Sequence, residues 1–140
     1  MCSSDLIRAA IDAVRPGVAL SAFVLPQSFW EVGQDLSMFA RSLDEVRPMC
    51  YWNDWGYDPA WVTDDCLATV DARIVHADAA TRVIPVIGAG EAEADTAAVL
   101  ADLARRRPGM PGLDWFSYTP WPRERMAEVA GRMALLDPAG

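Results

Sequence analysis

Two rhythms of apolar residues alternate along the chain. In one, apolar positions recur three and four residues apart, as on one face of a helix; in the other they run almost unbroken between turn residues, as in a buried strand. Leu6, Ile7, Ala10, Ile11 and Val14 show the first rhythm, with Ser3 or Ser4 placed as a cap and Pro16-Gly17 as a stop. VALSAFVLP (18–26) shows the second and predicts a strand. Leu36, Phe39, Ala40 and Leu43 predict a second helix ending near Asp44. Residues 46–52 predict a second strand, in which Pro48 fits better at the start than in the middle.

The alternation continues to the end of the sequence. Asp58-Pro59 reads as a cap followed by a first-turn proline, and Val62, Cys66, Leu67, Val70 and Ile74 extend a third helix from it. RVIPVIG (82–88) is a third strand. Residues 91–107 form a fourth helix, with Glu91, Glu93 and Asp95 at its positive end and Arg105, Arg106 and Arg107 at its negative end. GLDWFSY (112–118) is a fourth strand, and Pro122 opens a last helix carrying Met126, Val129, Ala130, Met133 and Leu136. The order is one helix and then four βα units, which predicts a single α/β domain over 1–140 with a parallel sheet and right-handed crossovers. Two architectures satisfy it: an open flavodoxin-like or Rossmann-like sheet, and a (βα)4 segment of a (β/α)8 barrel.

Composition narrows the chemistry. A hydrophobic share of 52% over 140 residues supports a real core, and a net charge of −8 repels nucleic acid and anionic lipid. No window approaches the roughly 18 apolar residues of a membrane span, and the start lacks a signal-peptide pattern. The chain as written reads as soluble and cytoplasmic, and as secreted if it is a piece of a longer protein with a leader upstream. Cys2, Cys50 and Cys66 lack the paired spacing of a zinc site and are expected to be reduced, buried thiols. No metal or cofactor is implied. GAGEAE (88–93) has two glycines of a dinucleotide fingerprint but Glu93 at the third, and its glutamates stand where a pyrophosphate would bind. His76, the only histidine, follows the third helix and is expected to be structural or solvated.

In a parallel α/β sheet ligands lie beyond the carboxyl ends of the strands. Trp30, Trp52, Trp55, Trp61 and Trp121 all fall at or just after a predicted strand end, while Trp115 lies within a strand. Indole rings suit ligands that are apolar on their faces and polar at their edges, as sugars are. Gln27, Asn53, Asp54, Asp58 and Glu91 supply hydrogen-bonding groups beside them. The same rings would also serve to roof a core or to bind another protein.

SLDEVRPMCYWNDWG (42–56) resembles the sixth strand of chitinase-like family 18 glycoside hydrolases and related polysaccharide hydrolases, through Asp44, Met49 and Tyr51. GQDL (33–36) resembles the helix before that strand, and GLDWFSY the eighth strand of such barrels. The resemblance implies a parallel (βα)4 half of a TIM (β/α)8 barrel, strands five to eight, preceded by one helix. It implies that Tyr51 reaches into a sugar cleft and that Phe116 takes the place of its aromatic floor. The family often has an acid directly after that tyrosine, where this chain has Trp52, with Asp54 two residues later. In the family the proton-donating glutamate lies on the fourth strand, upstream of every strand in this sequence.

The expected binding residues are therefore Gln27, Trp30, Tyr51, Trp52, Asn53, Trp55, Phe116, Tyr118 and Trp121, and the candidates for chemistry are Tyr51, Asp54 and Glu91. The expected ligand is an oligo- or polysaccharide. A half-barrel leaves two edge strands unpaired, which implies a homodimer or a missing N-terminal half. A non-enzymatic interaction module and a self-contained flavodoxin-like small-molecule domain are the alternatives.

Overall fold

Helix and strand form where the two rhythms predict them, over residues 3–26, 32–77, 80–88, 93–116 and 123–133, which the computed structural model describes. Helix α1 (Ser3–Val14) precedes strand β1 (Ser21–Val24), and α2 (Leu36–Phe39) runs into a 3-10 turn before β2 (Glu45–Cys50). A π-helical turn (Val62–Leu67) opens into α3 (Ala68–His76), followed by β3 (Arg82–Val83), β4 (Val86–Gly88), α4 (Glu93–Arg106), β5 (Asp114–Phe116) and α5 (Arg123–Met133). Asp35 caps α2, its carboxylate accepting from the N–H groups of Ser37 and Met38. No helix among the described residues is long and apolar enough to cross a membrane.

All strand pairs are parallel, in the order β1-β2-β4-β5, with β3 also beside β2. β3 and β4 are two parts of the predicted strand 82–88, so the strands lie side by side in chain order. An order such as 2-1-3-4, expected of a flavodoxin-like sheet, is not what the described strands show.

Pro48 lies in the middle of β2, opposite Val24, and not at its start. Its position explains why one predicted strand is two. The ladder pairs Val46 with Val83 and resumes in the same register with Met49 against Val86. Between them the Ile84 N–H donates to the Val46 carbonyl at 3.0 Å. In a parallel ladder the returning bond would come from the N–H of residue 48, which proline lacks. Pro85, the next residue along, keeps its carbonyl in use by accepting from the Asp114 N–H at 2.9 Å.

The pleat separates the two faces of the sheet. Ala22 pairs with Val46, Val46 with Val83, Cys50 with Ile87 and Ile87 with Trp115, and these side chains pack against the helices. They do so in two clusters. Val24 and Val46 join Leu36, Ala40, Leu43, Val70 and Ile74. Cys50, Ile87 and Leu113 join Trp52, Trp61, Val62, Cys66, Leu67, Val99, Leu100 and Leu103, and Val83 touches both groups. The opposite face carries Phe23, Glu45, Arg47, Met49, Arg82, Asp114 and Phe116. The helix residues of both clusters, drawn from α2 through α4, lie on the other face.

Two of the three thiols are not reduced. Cys50, the last residue of β2, and Cys66, in the π-helical turn, form a disulfide with Cα atoms 6.3 Å apart. The chain between them, residues 51–65, folds back over the strand end, so both sulfurs arrive in the same helix-side core. Spacing along the chain does not reveal such a pair, because the chain reversal creates it.

Candidate aromatic binding site

The segment leaving β2 folds into a short, internally bonded loop. Trp55 N–H donates to the Tyr51 carbonyl at 3.3 Å, Gly56 N–H to Asn53 at 3.1 Å and Tyr57 N–H to Trp52 at 2.8 Å. Gly56 sits at φ +75°, a left-handed conformation that a side chain would strain. The Asp58 carboxylate then accepts from the N–H groups of Ala60 (2.9 Å) and Trp61 (3.3 Å), confirming the predicted cap. That role commits Asp58 to the backbone.

These bonds line up five aromatic rings. Phe116, at the end of β5, stacks on Tyr51 with centroids 5.6 Å apart and planes 19° apart. Tyr51 meets Trp55 at 5.9 Å, and Trp55 meets Trp61 edge-on at 5.6 Å. Tyr57 stacks flat on Trp61, at 4.6 Å and 11°. Tyr51 and Trp61 are buried at 6% and 5% exposure, whereas Trp55 and Tyr57 stand 37% and 41% exposed. The buried rings hold the exposed ones in place, so the surface is formed before any ligand arrives.

The structure brings together Tyr51, Trp55 and Phe116 from the expected site, with Asn53 and Asp54 exposed on the same loop. Trp52 is 1% exposed and belongs to the helix-side core, so it offers no ring face to a ligand. Gln27, Trp30, Glu91, Tyr118 and Trp121 lie outside the described residues. Tyr57 is the residue that sequence reasoning missed. Its signal is local: in WGYDPAW the turn glycine and the Asp-Pro cap fix the chain on both sides of it and bring its ring onto Trp61.

Toward the strand starts the same face turns ionic. Arg47 pairs with Glu45 at 2.6 Å and with Asp114, and Arg82 pairs with Glu45. The carboxylates of Glu45 and Asp114 push the Arg47 guanidinium further toward its charged form. With both acids engaged by cations, this layer supports a structural role in preference to proton donation to a glycosidic oxygen. Asp44, part of the motif that resembles the hydrolases, sits just before the first residue of β2, at the end away from the rings. Its carboxylate accepts from the Leu20 N–H at 2.7 Å and from Arg8, and its carbonyl accepts from the Arg82 N–H at 3.0 Å.

Among the described residues no three His, Cys, Asp or Glu side chains are grouped to hold a metal ion. His76 is the last residue of α3. The Nε1–H groups of Trp52 and Trp61 are buried without an acceptor among the described residues. Neither a protein-family model, nor a curated protein, nor a solved structure matches the chain.

Proposed function

We propose that the chain forms one side of a carbohydrate cleft, as a (βα)4 half of a glycoside-hydrolase-like barrel that binds sugar and does not cleave it alone. The observation that carries this reading is the continuous row Phe116–Tyr51–Trp55–Trp61–Tyr57 at the carboxyl ends of β2 and β5. Sugars stack their C–H faces on such rings, and Asn53 and Asp54 stand beside them to meet hydroxyl groups. Chain-order parallel strands support the barrel half, because a doubly wound sheet reorders its strands. Binding is favoured over catalysis because the described acids near the rings are exposed singly, as Asp54 is, committed to backbone N–H groups, as Asp58 is, or paired with arginine.

Titrating chitin, glucan and mannan oligomers while following tryptophan fluorescence tests this. A saturable change with one of them is expected. Trp55→Ala and Tyr57→Ala are each expected to weaken that response threefold to tenfold, equivalent to about 0.7 to 1.4 kcal/mol of lost stacking. The absence of any response across the three polymers would overturn the sugar reading.

A further inference from the structure

We propose that helix α1 is a docking surface for a second copy of this chain, with two α1 helices packed antiparallel about a two-fold axis near Ala10. The inference stands apart from the sugar reading and uses none of the ring row.

An amphipathic helix ordinarily turns its apolar face to the core. Helix α1 is mounted the other way round. Its polar side faces the molecule: the Arg8 guanidinium donates to the Ser42 carbonyl at 3.1 Å and to the Val18 carbonyl at 2.9 Å and pairs with Asp44, and the Asp5 carboxylate accepts from the Ser42 hydroxyl. These contacts fix the rotation of the helix, so that Leu6, Ile7 and Val14 stand 58%, 50% and 87% exposed, with Ala10 and Ala13 exposed between them. On a helix of about 3.6 residues per turn these five positions form one continuous arc, and Asp5, Arg8 and Asp12 lie opposite. Rolling the arc inward would break every Arg8 contact, so whatever buries it approaches from the solvent side.

Three features select a second copy as the occupant. The arc is self-complementary: in an antiparallel pair centred on Ala10, Leu6 of one copy meets Val14 of the other and Ile7 meets Ala13, while the small side chain at the axis lets the helix axes approach to the about 8 Å of close pairs. It carries no charge, since Arg8 is held by Asp44, and by Asp12 at 3.7 Å, on the opposite side of the helix, so pairing buries no ion. Its size also fits: the arc leaves on the order of 500 Å² in water per copy, and two arcs bury about 1,000 Å² at most, where specific interfaces begin. The dimer is therefore a weak one that forms in the micromolar range. A lipid surface fits less well, because interfacial helices carry lysine and arginine on the polar face, and here that face holds Asp5 and Asp12 beside Arg8 in a chain of net charge −8.

Sedimentation equilibrium of the purified full chain, over about 1 to 100 µM, tests this. The mass is expected to rise from 15.3 kDa toward twice that value. Leu6→Glu and, separately, Val14→Glu are expected to weaken association about tenfold or more, while Val75→Glu, on α3 and 78% exposed, leaves it unchanged. Circular dichroism checks that each variant keeps its fold, and Val14→Glu, at the more exposed position, carries the test if Leu6→Glu does not fold. A monomer throughout the range overturns the proposal, and so does a dimer that neither α1 variant weakens. Flotation with neutral phosphatidylcholine vesicles supplies the contrasting readout: a chain that stays monomeric and binds vesicles through Leu6 gives the arc to lipid and overturns the second copy. The oligosaccharide response is expected to be the same in the parent chain and in Val14→Glu, so failure of the dimer and failure of the sugar reading are seen separately.

Discussion

The Asp44 carboxylate ties the middle of α1 and the residue before β1 to β2, through Arg8 and the Leu20 N–H, while its carbonyl receives the first residue of β3. Nothing in its sequence neighbourhood distinguishes this job from a place in a hydrolase motif, because all three partners are distant in sequence and converge only when the strands pair. Asp44→Ala is expected to cost about 1 to 2 kcal/mol by denaturant unfolding, at the low end for charged hydrogen bonds because the side chain is 47% exposed. Hydrogen bonds from Leu20 and Arg8 hold its carboxyl below the usual carboxylate range. The depressed value fixes the sign of the pH effect. The stabilisation is complete above the unfolded-state value of about 3.9 and is lost as pH falls through the folded-state value. Acid unfolding followed below about pH 4 should therefore be shallower in Asp44→Asn than in the parent chain.

The loop between β2 and the π-helical turn is fastened three times: by the Cys50–Cys66 disulfide, by the Asp58 cap, and by Asp102 of α4, which accepts from the Thr63 hydroxyl at 2.5 Å. Closing a loop of 16 residues stabilises a fold by about 3 kcal/mol when the constraint acts on the unfolded chain. Cys66→Ala, or reduction of the parent chain, is expected to lower stability by about that amount, measured as a shift of the denaturant midpoint with thiols kept reduced. The same treatment should loosen the ring row and weaken any oligosaccharide response. The cap was legible in Asp58-Pro59 because capping is a property of adjacent residues. The disulfide was not, since it depends on how far the loop turns back on itself.

At the scale of the molecule, the apolar rhythms were enough to predict a parallel α/β sheet, since strand burial and helix amphipathicity are local properties. They gave no warning that Leu6, Ile7 and Val14 of α1 would stand in solvent, because a periodic pattern shows that a face is apolar without showing what covers it. The proline rung has its own consequence for cooperativity. Pro48 interrupts the ladder at the level where the two side-chain clusters divide, leaving Val83 in contact with both. Such a seam allows sub-global opening, with the half around Val46 and the disulfide-braced half around Cys50 exchanging their amide hydrogens at different free energies. Native-state hydrogen exchange would then sort the amides into two families, with Ile84 in the first and Ile87 in the second. A single shared exchange energy would show that the seam is mechanically silent.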